Sequence, residues 1–171
     1  MQIKGPLWQQ AAAFAARAHR DQVRRDDETP YVSHPVRVAM TVACLFGFND
    51  EIILAAALLH DTIEDTTVDY DDLFQQFGKE VADIVAALSK DKRMVEPARE
   101  KAYDNQLAAA PWQARLIKLA DVYDNLRDCT TPASQRRQMK RVHRALKLAA
   151  HDAQLAEARR IVKRFAGIRG A

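Results

Sequence analysis

Two cysteines in a chain of 171 residues are too few for a disulfide framework or a thiolate metal site. Cys44 and Cys129 are widely separated, are expected to be reduced, and are not strong nucleophile candidates. Glycine and proline are scarce, 5 and 6 residues, which leaves few turns and favours long helices. The longest apolar run, Ile52 to Leu59, is far short of the roughly 20 residues a membrane span needs, so no bilayer-crossing segment is expected. The N-terminus lacks a charged stretch followed by an apolar run and a small-residue cleavage site, so no secretory signal is expected and the cytoplasm is the default location. No window alternates with period two, and no Gly-rich turn follows a strand pattern, which removes Rossmann and P-loop readings. No internal repeat or low-complexity tract is visible.

What remains is an ordinary globular composition, 48% hydrophobic and 29% charged, in a length that suits one domain over residues 1–171. The formal charge of +3 is small. Arg136, Arg137, Lys140, Arg141, Arg144 and Lys147 nevertheless cluster late in the chain, as a solvated helix face or as help for an anionic ligand. No aromatic residues interleave with these bases, so a nucleic acid polymer is not an expected partner. The sequence leaves a homo-oligomer open.

Apolar periodicity predicts an all-α chain. Leu7, Ala11, Phe14, Ala15 and Ala18 mark a helix from about Pro6 to Arg20. A polar loop, Asp21 to Ser33, follows as a candidate substrate rim. Pro35 opens the next helix, with Val36, Ala39, Met40, Ala43 and Phe46 on its core face and Gly47 at its end, which puts His34 just ahead of it. Asn49 or Asp50 caps a third helix whose Ile52–Leu59 stretch is apolar all round, as expected of a central buried helix. Shorter helices are predicted up to Gly78 and around Val81–Leu88, then from Pro97 to Leu107. A helix starting at Pro111 carries Leu116, Leu119, Ala120 and Tyr123 towards the core, and a last helical region runs from Thr131-Pro132 to Phe165, broken near His151-Asp152.

The chemistry is concentrated where ionisable residues directly follow the central apolar run. Charges in such a place need a partner, and a metal ion is an economical one for His60 and Asp61. His34 and Asp121, each beside an apolar helical segment, supply the natural remainder. Two His and two Asp form a mixed nitrogen and oxygen set that fits manganese, iron, cobalt, nickel or zinc and argues against calcium. Positions left over on such an ion hold water, which can then ionise near neutral pH. If the helix continues past Asp61, Glu64 lies one turn away, where a carboxylate can orient or deprotonate the attacking water, with Asp65 beside it. Asn125, four residues after Asp121, can hold a substrate oxygen. His19, His143 and His151 lack comparable surroundings and read as surface or packing residues.

These residues resemble the HD superfamily, specifically the hydrolase domain of the RelA/SpoT family and its stand-alone small alarmone hydrolases of the metazoan SpoT-homologue type. The resemblance runs from about Ala11 to Asp128. It is carried by Thr29-Pro30-Tyr31-Val32-Ser33-His34-Pro35, by Leu58-Leu59-His60-Asp61-Thr62-Ile63-Glu64-Asp65-Thr66, and by Lys118-Leu119-Ala120-Asp121 with Asn125-Leu126-Arg127-Asp128. It implies a single-domain HD-type helical bundle holding Mn2+ through His34, His60, Asp61 and Asp121. Glu64 and Asp65 would handle the water, which attacks the 3′-pyrophosphate linkage of (p)ppGpp to give GDP or GTP and pyrophosphate. Arg24 and Arg25 match basic residues that contact the nucleotide in that family, allowing for a one-residue difference in loop length, and a guanidinium can both stack on a purine and pair with phosphate.

Lys90, Lys92, Arg93, Arg99 and Lys101 belong either to a pyrophosphate site or to a solvated loop, with Lys101 included among the candidate substrate contacts. The chain departs from the family pattern at Asp26-Asp27-Glu28-Thr29, where a Gly is usual, and at Val122-Tyr123-Asp124, where Asp124 is expected to add a carboxylate near the phosphates. With no synthetase domain alongside, a stand-alone hydrolase is expected. The competing expectations are an HD phosphohydrolase acting on another phosphate ester, such as a nucleoside monophosphate or NADPH, and a non-catalytic nucleotide-binding module.

Overall fold

The structure, a computed structural model, describes residues 5–168; residues 1–4 and 169–171 of the expected domain lie outside the described residues. The described residues form helices joined by short loops: α1 (Leu7–Ala18), α2 (Ser33–Met40), α3 (Glu51–Leu59), α4 (Thr62–Asp65), α5 (Tyr70–Phe77), α6 (Lys79–Leu88), α7 (Glu96–Ala109), α8 (Trp112–Arg127), α9 (Pro132–Leu148) and α10 (Ala156–Phe165). Among them the only extended pairing is an isolated bridge between Val23 and Pro30. Among the described residues no helix is long and apolar enough to cross a membrane.

The centre of the bundle is α3, which packs against α1, α2, α6 and α8. Asp50 starts it by accepting from the backbone N–H groups of Ile52 and Ile53, at 3.0 and 3.1 Å, which satisfies two of the donors a helix start leaves open. Ile53 and Ala55 to Leu59 are buried, so α3 presents apolar surface to several neighbours at once. The second spine of the core is α8, whose Leu116, Ile117, Leu119 and Ala120 are fully buried against α2, α6, α9 and α10. Thr131 and Ser134 close a reciprocal capping box at the start of α9.

Three local expectations are corrected. His34 stands inside the first turn of α2 rather than ahead of it, because the helix opens at Ser33, two residues before Pro35. The buried face of that helix is His34, Val38, Ala39, Val42 and Phe46, while Val36 and Met40 are 41% and 55% exposed. Two causes combine here: His34 must face inward, and a π-helical turn at Thr41–Leu45 inserts extra backbone that rotates the later residues. Finally, the central helix does not continue into Glu64. It stops at Leu59, His60 and Asp61 form a joint, and α4 restarts at Thr62.

Candidate active site

The joint places two ionisable side chains at the buried end of α3. His60 is fixed by its own helix: its Nδ1 stands 2.8 Å from the carbonyl oxygen of Ala57 and must donate to it, which leaves Nε2 as a bare lone pair. That Nε2 is buried and has no hydrogen-bond partner. Asp61 begins α4 without capping it, so its carboxylate is free to turn inward. Its Oδ2 lies 3.2 Å from His60 Nε2 and 3.5 Å from His34 Nε2.

From α2, His34 is buried and oriented by Asp124, whose Oδ2 lies 2.7 Å from His34 Nδ1. Its Nε2 therefore points the other way, to 3.3 Å from Asp121 Oδ1. Asp121 comes from α8, and the same oxygen is 3.9 Å from His60 Nε2. One ligand atom each from His34, His60 and Asp121 lie within 4.8 Å of one another. Neighbouring donors around an ion with bonds near 2.1 Å sit about 3 Å apart, so the set needs only a small contraction to close on a cation.

The electrostatics call for one. Two imidazole lone pairs and two carboxylates converge in a buried space, an arrangement that is repulsive unless a proton or a metal ion occupies its middle. In the isolated protein the demand falls on protons. Burial opposes charging His34, but Asp121, Asp124 and Asp61 outweigh it and lift its pKa to about 9. For His60 burial is likewise overcome, by Asp61 and Asp121, and its pKa rises. Burial opposes ionisation of Asp61 and Asp121 too, yet His60 and His34, with Lys118 at Asp121, keep both carboxyls well below the usual range. An orphaned buried Nε2 and a mixed nitrogen and oxygen donor set fit a divalent transition ion. Among the described residues this cluster is the place that can hold such an ion.

Around the cluster lies a pocket of about 230 Å³, lined by Tyr31, Glu64, Asp65, Tyr103, Asn125 and a set of cations, Arg24, Arg25, Lys90, Lys118 and Arg141. Glu64 reaches it from α4, and its Oε2 accepts from the backbone N–H of Lys90 at 2.9 Å. Burial, with Asp61 and Asp65 nearby, raises its pKa despite that hydrogen bond. Asp65 takes hydrogen bonds from the Tyr31 hydroxyl and from Lys92. Tyr31 also reaches Asp61 Oδ2 at 2.7 Å, and burial together with Asp61 pushes its phenol pKa far up, so the hydroxyl stays a donor.

The remaining expected contacts divide. Arg24 faces the pocket and donates to Asn125 Oδ1 and Asp128 Oδ2, at 3.3 and 2.9 Å, with its guanidinium 5.4 Å from the centre of the Tyr31 ring. Asn125 in turn donates to Asp121 Oδ1, so its amide is a bridge between Arg24 and the cluster. Arg25 is exposed at the mouth. Lys101 is exposed on α7 and does not line the pocket; Lys90 and Lys118 stand where it was expected.

Asp124 is corrected as well. It is 2% exposed and faces His34 and Arg37 behind the cluster rather than phosphates in front of it. The acidic loop residue Asp26 turns inward on its own loop, accepting from the backbone of Glu28 and Thr29 and from the Thr29 hydroxyl. That lets Asp27 take the left-handed conformation at φ 60°. His19 is a packing residue, buried and stacked on Tyr31 with 4.8 Å between ring centres.

Lys118 and Tyr103 also line the pocket, and neither is among the site residues expected from sequence. Lys118 Nζ is 2.7 Å from Asp121 Oδ2 and 5.3 Å from the Tyr103 ring centre. Burial works against its charge, but Asp121 and the other acidic groups raise its pKa. The signal was present for Lys118, three residues before Asp121 on a helix; Tyr103 had none beyond an ordinary apolar spacing.

Similarity to known proteins agrees with this geometry. The HD domain family matches residues 11–148. Guanosine-3′,5′-bis(diphosphate) 3′-pyrophosphohydrolase MESH1 of Homo sapiens is 42% identical over 120 residues, 70% of this chain and 67% of the human protein. The Xenopus tropicalis protein of the same name is 40% identical over the same shares. A solved structure described as a metazoan ortholog of SpoT that hydrolyzes ppGpp superimposes with a TM-score of 0.82 at 29% identity, covering 99% of this chain and 100% of that one. The inward-facing His34, His60, Asp61 and Asp121, the helical bundle that carries them and these likenesses agree, and the chain belongs to the HD domain family, in the group of the metazoan SpoT homologues.

Proposed function

We propose that this chain is a metal-dependent phosphohydrolase that removes the 3′-pyrophosphate of (p)ppGpp, releasing GDP or GTP and pyrophosphate, as its relatives' names describe for them. The observation that carries the reading is the pair of tautomer-fixed imidazoles, His34 and His60, whose Nε2 lone pairs face the carboxylates of Asp61 and Asp121 at the floor of a cation-lined pocket. In this reading those four residues hold the ion, and Mn2+ suits their donor set. A divalent ion there supplies Lewis acidity, lowering the pKa of water and neutralising charge on phosphoryl oxygens.

The chain's own groups do the rest. Glu64, whose proton affinity is raised by burial, accepts the proton of the attacking water. Asp65, held by Tyr31 and Lys92, orients that water. The water oxygen bonds to the phosphorus that carries the 3′-oxygen, the P–O3′ bond breaks, and the 3′-oxygen leaves as the ribose hydroxyl, taking from solvent a proton that balances the one given to Glu64. Arg24, Arg25, Lys90 and Lys118 present fixed positive charge to the phosphates, worth more in the transition state where charge shifts onto the departing oxygens.

The test is product analysis by ion-exchange chromatography after incubating manganese-loaded protein with ppGpp. GDP and pyrophosphate are expected from the unmutated protein and neither from Asp61→Ala. Absence of products from protein with confirmed bound metal would overturn the substrate assignment and redirect it to another phosphate ester.

A further inference from the structure

His34 and His60 converge on the same point but are aimed by different devices. His60 gives its Nδ1 proton to a backbone carbonyl, that of Ala57. His34 gives its Nδ1 proton to a full negative charge, Asp124 Oδ2 at 2.7 Å. That carboxylate is itself immobilised. Arg37, one helical turn after His34 on α2, grips it with Nε 2.6 Å from Oδ1 and Nη2 2.8 Å from Oδ2. The same Nη2 reaches Asp128 Oδ2 at 2.8 Å, and Arg37 Nη1 lies 3.3 Å from Ser33 Oγ. Asp124 is 2% exposed and sits behind His34 without lining the pocket around the cluster, while Arg37 holds it from the far side with its side chain 30% exposed.

A carboxylate in this position fixes the imidazole tautomer, stops rotation of the ring and makes Nε2 a stronger donor to a cation. Leaving a buried aspartate there is costly unless its charge is matched, and the bidentate Arg37 matches it. We propose that Asp124, clamped by Arg37, is a positioning residue that sets the affinity of the His34 side of the cluster for a divalent ion. The inference rests on the reading that the cluster binds such an ion.

The experiment titrates Mn2+ into the chelator-treated full chain, following free Mn2+ by electron paramagnetic resonance, for the unmutated protein, Asp124→Asn and Arg37→Gln. Nitrogen-15 correlation spectra of the imidazoles, recorded at pH 10 so that His34 is neutral, report its tautomer in each protein before metal is added. Asp124→Asn keeps the size of the side chain but removes its charge. It is expected to weaken Mn2+ binding by about 10–100-fold and to shift His34 away from a pure Nδ1–H tautomer. Arg37→Gln, which leaves Asp124 in place, is expected to weaken binding less and to preserve the tautomer. Should Asp124→Asn fail to fold, weakened binding in folded Arg37→Gln still supports the proposal, and unchanged binding in it overturns the proposal. Tight binding by the unmutated protein with equal affinity in a folded Asp124→Asn overturns this inference alone. No Mn2+ binding by the unmutated protein overturns both it and the metal reading.

Discussion

The hydroxyl of Tyr31 lies 2.7 Å from Asp61 Oδ2, tying the loop that rims the pocket to the joint at the buried end of α3. The same oxygen is 3.1 Å from Asp65 Oδ2, so one phenol stands between a carboxylate of the candidate metal cluster and one proposed to orient water. Removing the hydroxyl in Tyr31→Phe leaves the ring stacked on His19 but frees both carboxylates to rotate. Turnover is expected to fall about tenfold, the worth of one hydrogen bond to a charged group, with little change in melting temperature. Steady-state kinetics beside a thermal melt checks this; an equal rate would show that the two carboxylates are held by other contacts.

Glu64→Gln is expected to act on the chemical step alone. The amide can still accept the backbone N–H of Lys90 through its oxygen, so the local fold is kept, but it cannot take a proton from water. A fall in kcat of about 10²–10⁴-fold is expected, with Mn2+ affinity unchanged. A parallel loss of metal affinity would move Glu64 from proton transfer into the cation site.

Acid stability should report on Glu100. Burial alone would raise its pKa, but Lys90 and Arg144 outweigh that and lower it from 4.5 to about 2. The folded chain thus holds this proton more weakly than the unfolded one. Stability from the ionised form is fully present above pH 4.5 and is lost as pH falls towards 2. The side chain is a quarter exposed, so its contribution at neutral pH is about 1 kcal/mol after solvent screening. Urea unfolding of Glu100→Gln between pH 7 and pH 2.5 should show a smaller loss on acidification than the unmutated protein; identical slopes would mean that the two cations stabilise the unfolded chain equally.

Leu59→Ala tests the foundation of the site. Leu59 is fully buried and immediately precedes His60. Truncation should cost about 2–5 kcal/mol through lost burial and the cavity it leaves. Because it also loosens the helix end that aims His60, Mn2+ affinity should weaken too. A stability loss with unchanged affinity would show that the Ala57 carbonyl alone is enough to aim the ring.

The helical class was legible because periodicity is a local property, and α3 was legible as central because nothing in Ile52–Leu59 is polar. His34, His60, Asp61 and Asp121 stood out for a related reason: polar groups beside apolar runs need a partner. The break between Leu59 and Thr62 was not legible, since Thr62 and Glu64 continue a helical pattern acceptably. Only the inward turn of Asp61, a tertiary demand, interrupts it. Asp124 was misplaced because sequence proximity to Asp121 puts it near the site without saying on which side, and that depends on Arg37, 87 positions away. Lys90 and Lys101 carry the same charge in the same segment, and charge does not specify which of them turns to the pocket.

The enclosure of α3 on all sides ties the lifetime of the site to that of the whole molecule. His60 rides on buried backbone whose amide hydrogens are expected to exchange last, whereas the exposed loop tip at Arg25 and Asp26, between the anchored Arg24 and Tyr31, is expected to open first. On heating, grip on the nucleotide should therefore decay before grip on the ion, and a partly inactivated sample would be one that has lost its rim while its centre is still assembled.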